Sequence, residues 1–77
     1  MYHKIDLDTK QISRIGVNAY YSRVYFDIDE RTVWQCESGE QATIAFDNKS
    51  NSIYVDGDVT YKDLENLMES YKYYHEE

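Results

Sequence analysis

Between Tyr20 and Cys36 the chain reads YYSRVYFDIDERTVWQC, its longest run of two-residue alternation. Val24, Phe26 and Ile28 fall on one face, and Tyr21, Arg23, Tyr25, Asp27 and Asp29 on the other. Successive side chains of a strand point to opposite faces of a sheet, so the run predicts a half-buried strand. Asp29-Glu30-Arg31 interrupts it, and Thr32 to Cys36 resumes with β-branched and aromatic residues. The expectation is a central hairpin against which the rest of the chain packs.

A weak echo extends that reading. IDLDTKQI at Ile5 to Ile12, FDIDERTV at Phe26 to Val33 and AFDNKSNSI at Ala45 to Ile53 share one plan. An apolar residue precedes Asp, a polar turn carries Lys or Arg, and a β-branched residue follows. Asp and Asn favour turns because their side chains bond nearby backbone N–H groups. Three hairpins in series are predicted, joined by a bend at Gly16 to Ala19 and a turn at Glu37 to Glu40 in which Gly39 takes positive φ. An alternative for Asp8 to Gly16 is one helical turn, capped by Asp8 and closed by Gly16.

After Asp58 the period changes. Tyr61, Leu64, Leu67, Met68, Tyr71 and Tyr74 or His75 recur at helical spacing, with Thr60 as N-cap and Asp63 at the capping-box position. The apolar face is expected against Phe26, Trp34, Ile44 and Val55. The fold class is α+β: an antiparallel meander of five to six strands within residues 2–56, and one C-terminal helix over about 60–74 across a face. All 77 residues form one domain. A chain of this size buries only about 60% of its unfolded surface, so its stability should be modest.

Fifteen acidic against eight basic residues give a net charge of −7. The basic residues are scattered, which disfavours direct nucleic-acid binding and docking to an anionic membrane, and favours a basic protein partner. One cysteine and the absence of an apolar run long enough to cross a bilayer point to the cytoplasm.

Asp6/Asp8, Asp27/Asp29 and Asp56/Asp58 are Asp-x-Asp pairs. Each adjoins a turn, where Asp is expected, and none belongs to a longer calcium-loop pattern. Cys36 is expected in the core beside Trp34, and the two histidines, His3 and His75, lie far apart in the chain. No nucleophile elbow, phosphate loop or dinucleotide fingerprint occurs. The expectation is a non-enzymatic protein without cofactor or metal.

Nine tyrosines are too many for so small a core. Tyr and Arg are enriched at interface hot spots, and Tyr21, Arg23 and Tyr25 form an outward row in the predicted strand. Carboxylates two apart on a strand lie about 6.6–6.8 Å apart, comparable to neighbouring phosphates. Asp27, Asp29, Glu30, Glu37 and Glu40 would then present a nucleic-acid-like row to a basic, nucleic-acid-handling enzyme. In size, acidity and tyrosine content the chain resembles small phage-encoded inhibitors such as anti-CRISPR proteins and glycosylase inhibitors. That resemblance covers no aligned residues and assigns no site. The expected function is an acidic inhibitor in the host cytoplasm. A homodimeric interaction module, pairing through the Tyr21/Tyr25 face or an edge strand, is the alternative. A small-ligand-sequestering protein with Trp34 in its pocket is a third reading.

Overall fold

The computed structural model describes residues 1–25, 31–36 and 39–75, with side chains described as far as residue 70. Five strands, β1 (Tyr2–Asp6), β2 (Gln11–Arg14), β3 (Thr32–Gln35), β4 (Gln41–Asp47) and β5 (Ser52–Asp56), form one antiparallel sheet in the order β2-β1-β5-β4-β3. The sheet and the helix that follows it are the α+β arrangement expected from the alternation and the change of period. β3, β4 and β5 run as a meander, and the β1–β2 hairpin joins it through β1 against β5.

Two of the echoed segments become the same turn. Asp6 pairs with Gln11 and Asp47 with Ser52. In the first turn Asp6 Oδ1 accepts the N–H groups of Asp8 and Thr9, at 3.0 and 3.2 Å. In the second, Asp47 Oδ1 accepts the N–H of Lys49 at 3.0 Å, and its other carboxylate oxygen accepts the Ser50 hydroxyl. Each loop closes on a residue of positive φ, Lys10 at 61° and Asn51 at 51°. Asn51 Nδ2 also donates to Asp8 Oδ1 at 2.9 Å, which holds the two turns together. Of the extended segment expected over Gln11 to Val17, Gln11–Arg14 is the strand, so the hairpin reading prevails there over the helical one, while Val17 already begins a helix.

The first arm of the predicted central hairpin is not a strand. Gly16, extended at φ −73° and ψ 158°, precedes helix α1 (Val17–Tyr20), which widens into a π-helical turn over Tyr21–Tyr25. The Ser22 hydroxyl donates to Asn18 O at 2.7 Å, competing for the carbonyl that a regular α-turn would use. Phe26 to Glu30, the rest of that arm, lie outside the described residues. The second arm is β3 as expected, and Gly39 takes φ 92° in the connection to β4.

Helix α2 (Tyr61–His75) starts in the predicted capping box. Thr60 Oγ1 accepts the Asp63 N–H at 3.1 Å, while an Asp63 carboxylate oxygen accepts both the N–H and the hydroxyl of Thr60. Leu64 and Leu67 bury against Ile5, Ile44, Ile53 and Val55, with Trp34 and Met68 at the margin. Tyr61, expected inward, is 62% exposed instead, while Asp63 and Leu64 of the same turn are buried. Phe26, the remaining expected contact, lies outside the described residues.

The opposite face of the sheet carries a second apolar layer. Tyr20 and Val24 bury there with Ala45 and Tyr54, flanked by Tyr2 and Ile15. Cross-strand pairing puts Lys4, Tyr54 and Ala45 in one row of that face, and Tyr2, Asp56, Thr43 and Val33 in the next. The central strand β5 is consequently buried on both sides, and the chain folds as three layers.

Candidate partner-binding surface

At the end of the short helix Tyr20 turns its ring inward, while the i, i+4 pair Tyr21 and Tyr25 in the π-helical turn stays outward. Tyr20 is 1% exposed and packs on Tyr54, whereas Tyr21 and Tyr25 remain 42% and 47% exposed. The rings of Tyr21 and Tyr25 lie 4.6 Å apart with an interplanar angle of 31°. Both meet Tyr20 edge-on, at 5.9 and 5.7 Å. Tyr2, from β1, approaches Tyr20 to 4.4 Å and Tyr21 to 6.3 Å. Offset and edge-to-face contacts at these separations are favourable because the positive ring edge meets the negative ring face.

Arg31 completes the group. Its guanidinium carbon sits 4.5 Å from the Tyr25 ring centroid, and a guanidinium N–H donates to the Val24 carbonyl. This is a cation–π contact on a ring that also meets Tyr20 and Tyr21. Burial raises the Tyr20 phenol to about 12, with Asp56 and Tyr25 adding to the effect. A hydrogen bond to Tyr21, followed by burial, raises Tyr2. These phenols are therefore neutral donors at physiological pH.

Arg23, expected beside Tyr21 and Tyr25 on a strand face, points elsewhere. It pairs with Asp47, which is 4% exposed, and also bonds Tyr54. Hydrogen bonding to Asp47 and then Tyr54 raises the Arg23 pKa. Burial alone would raise the Asp47 carboxyl, but Arg23, Ser50 and the Lys49 N–H together hold it below the usual carboxylate range. Helical spacing places residue 23 on a different side from 21 and 25, so the pair is structural: it fastens the π-helical turn to β4.

The predicted acidic row is only partly placed. Glu40 is exposed before β4, its carbonyl accepting the Cys36 N–H at 2.8 Å, and no contact among the described residues joins it to the tyrosines. Asp27, Asp29, Glu30 and Glu37 lie outside the described residues. Tyr2, Tyr20 and Arg31 were not among the expected site residues. Of these, only Tyr20 carried a sequence signal, the helical Tyr20–Val24 spacing beside Tyr21–Tyr25. Tyr2 arrives only through strand order.

The candidates for covalent chemistry sit unfavourably. Cys36 is buried, and burial, then Asp63 and Glu40, pushes its thiol upward, away from the reactive thiolate. His3 is buried against the α2 side of the sheet with Nδ1 unpartnered. No group of metal-ligating side chains occurs among the described residues, and no helix there is long and apolar enough to cross a membrane. No family model, curated protein or solved structure matches this chain.

Proposed function

We propose that this chain is a non-enzymatic binding domain that docks a basic protein through Tyr21, Tyr25 and Arg31. The observation that supports it is the close, tilted and half-exposed Tyr21–Tyr25 pair against the buried Tyr20 ring. Tyrosines fixed in this way offer large contact area at little conformational cost, the usual character of an interface hot spot. Widened helical turns are frequent at functional sites, which agrees with the location. The net charge of −7 steers a basic partner toward the surface and rejects nucleic acid itself. In the narrower form of this reading the partner is a nucleic-acid-handling enzyme whose basic channel the domain occupies as an inhibitor.

Affinity capture from bacterial lysate at low and high salt tests the reading, with wild type beside the double variant Tyr21→Ser/Tyr25→Ser. Wild type is expected to retain a basic nucleic-acid enzyme that high salt releases, and the double variant to lose it at both salts. Equal capture by the double variant would sink the tyrosine-anchored mode. Added DNA that fails to compete would remove the channel-occupying form.

A further inference from the structure

The two edges of the sheet are unlike. β2, with sequence QISR, carries Arg14 and follows Lys10, and charge on an edge strand opposes pairing with another sheet. β3, with sequence TVWQ, is the one strand of the five without a charged residue, and it holds no proline. The Cys36 N–H donates toward β4, to the Glu40 carbonyl at 2.8 Å. Backbone groups alternate sides along an antiparallel strand, so the N–H and C=O groups of Val33 and Gln35 point away from β4. Among the described residues no strand pairs with that outer edge. Val33 is also 68% exposed, more than any other large apolar side chain described.

We propose that the outer edge of β3 pairs antiparallel with the same edge of a second copy, with Val33 on the two-fold axis. In this register Val33 faces Val33 of the partner subunit, and their outward N–H and C=O groups exchange bonds across the axis. Thr32 meets the partner's Trp34, a β-branched–aromatic pair of the kind that stabilises cross-strand contacts. Arg31 meets the partner's Gln35, so no like charges face each other. Moving the axis to Trp34 would instead set Val33 against an amide.

Two chains of charge −7 repel, but within β3 itself no charged side chain adds to that repulsion. Isologous pairing of this kind closes on itself and leaves the charged β2 edges outermost. An edge-to-edge axis runs normal to the sheet, so the two five-stranded sheets become one of ten strands with equivalent faces on the same side. Both Tyr21–Tyr25–Arg31 groups then face one way, and a partner with two basic patches would be held with added avidity. The dimer itself does not depend on that partner.

Sedimentation velocity of the full chain, from about 5 μM to about 500 μM, tests the proposal, since a dimer's population rises with concentration. Wild type is expected to reach dimer mass, Val33→Lys to remain monomeric with an unchanged circular dichroism spectrum, and Tyr21→Ser/Tyr25→Ser to dimerise like wild type. A wild-type monomer throughout would overturn it, as would a dimeric, folded Val33→Lys or a monomeric, folded tyrosine variant. Amide exchange reads the same contact without substitution. The Val33 and Gln35 N–H groups should be protected at the high concentration and exchange freely on dilution, and free exchange in both would refute the edge contact.

Discussion

His3 is the residue whose placement most directly links the fold to solution conditions. It shares a face with Ile5, pairs with Val55 and Arg14 across the sheet, and has an Nδ1 without a hydrogen-bond partner. Burial, then Arg14 and the chain N-terminus, lowers its pKa from 6.5. The folded state therefore binds fewer protons than the unfolded state once pH falls below that value. Stability should be at its plateau above about pH 6.5 and decline as pH drops through the window below it. Urea midpoints measured across that window should show the decline in wild type and lose it in His3→Leu, which also removes an unsatisfied buried atom. A decline of equal size in His3→Leu would assign it to the carboxylates.

At the scale of elements, the clearest local device is the start of α2. Asp63 is 4% exposed and its carboxylate serves both polar groups of Thr60. Asp63→Ala removes those acceptors and the negative charge at the positive end of the helix, and should cost about 1–2 kcal/mol. Chemical denaturation gives this value directly, and Asp63→Asn, which keeps one acceptor oxygen, should recover part of it. The same capping pair was legible from the spacing of Thr60 and Asp63, as were the two Asp-led turns, because each is completed within a few residues. Val17 to Tyr25 was not. Its residues satisfy a period of two through Tyr21, Arg23 and Tyr25, and also a step of four through Tyr20–Val24 and Tyr21–Tyr25. Val24 points inward in either conformation, so local pattern could not choose.

On the scale of the whole molecule, the choice was made by β5. That strand lies at the centre of the sheet, and Ile53 and Val55 need one cover while Tyr54 needs another. A chain with a single long helix covers one face only, and the short helix with its π-helical turn supplies the other. Arg23 ties that second layer to the sheet through Asp47. Arg23→Ala should leave the carboxylate buried with fewer partners and cost about 1–3 kcal/mol, less than a fully buried ion pair because Arg23 is partly exposed. Its expected signature is a loss of near-ultraviolet circular dichroism from the tyrosine group while the far-ultraviolet signal of α2 persists. A variant that keeps the tyrosine signal would show that ring contacts alone hold the layer.

The sequence by itself determined the elements whose information is short in range: the Asp-led turns, Gly39 in its positive-φ position, the capped amphipathic helix, and the α+β class. It also established the acidity that underlies the proposed choice of partner. Tertiary structure alone decided that β1 docks beside β5, that residues 17–25 coil instead of extending, and that Tyr2 joins Tyr20, Tyr21 and Tyr25. The physical reason is common to all three. Each depends on burying both faces of one central strand, a demand that arises only after distant segments have paired and that no local period can express.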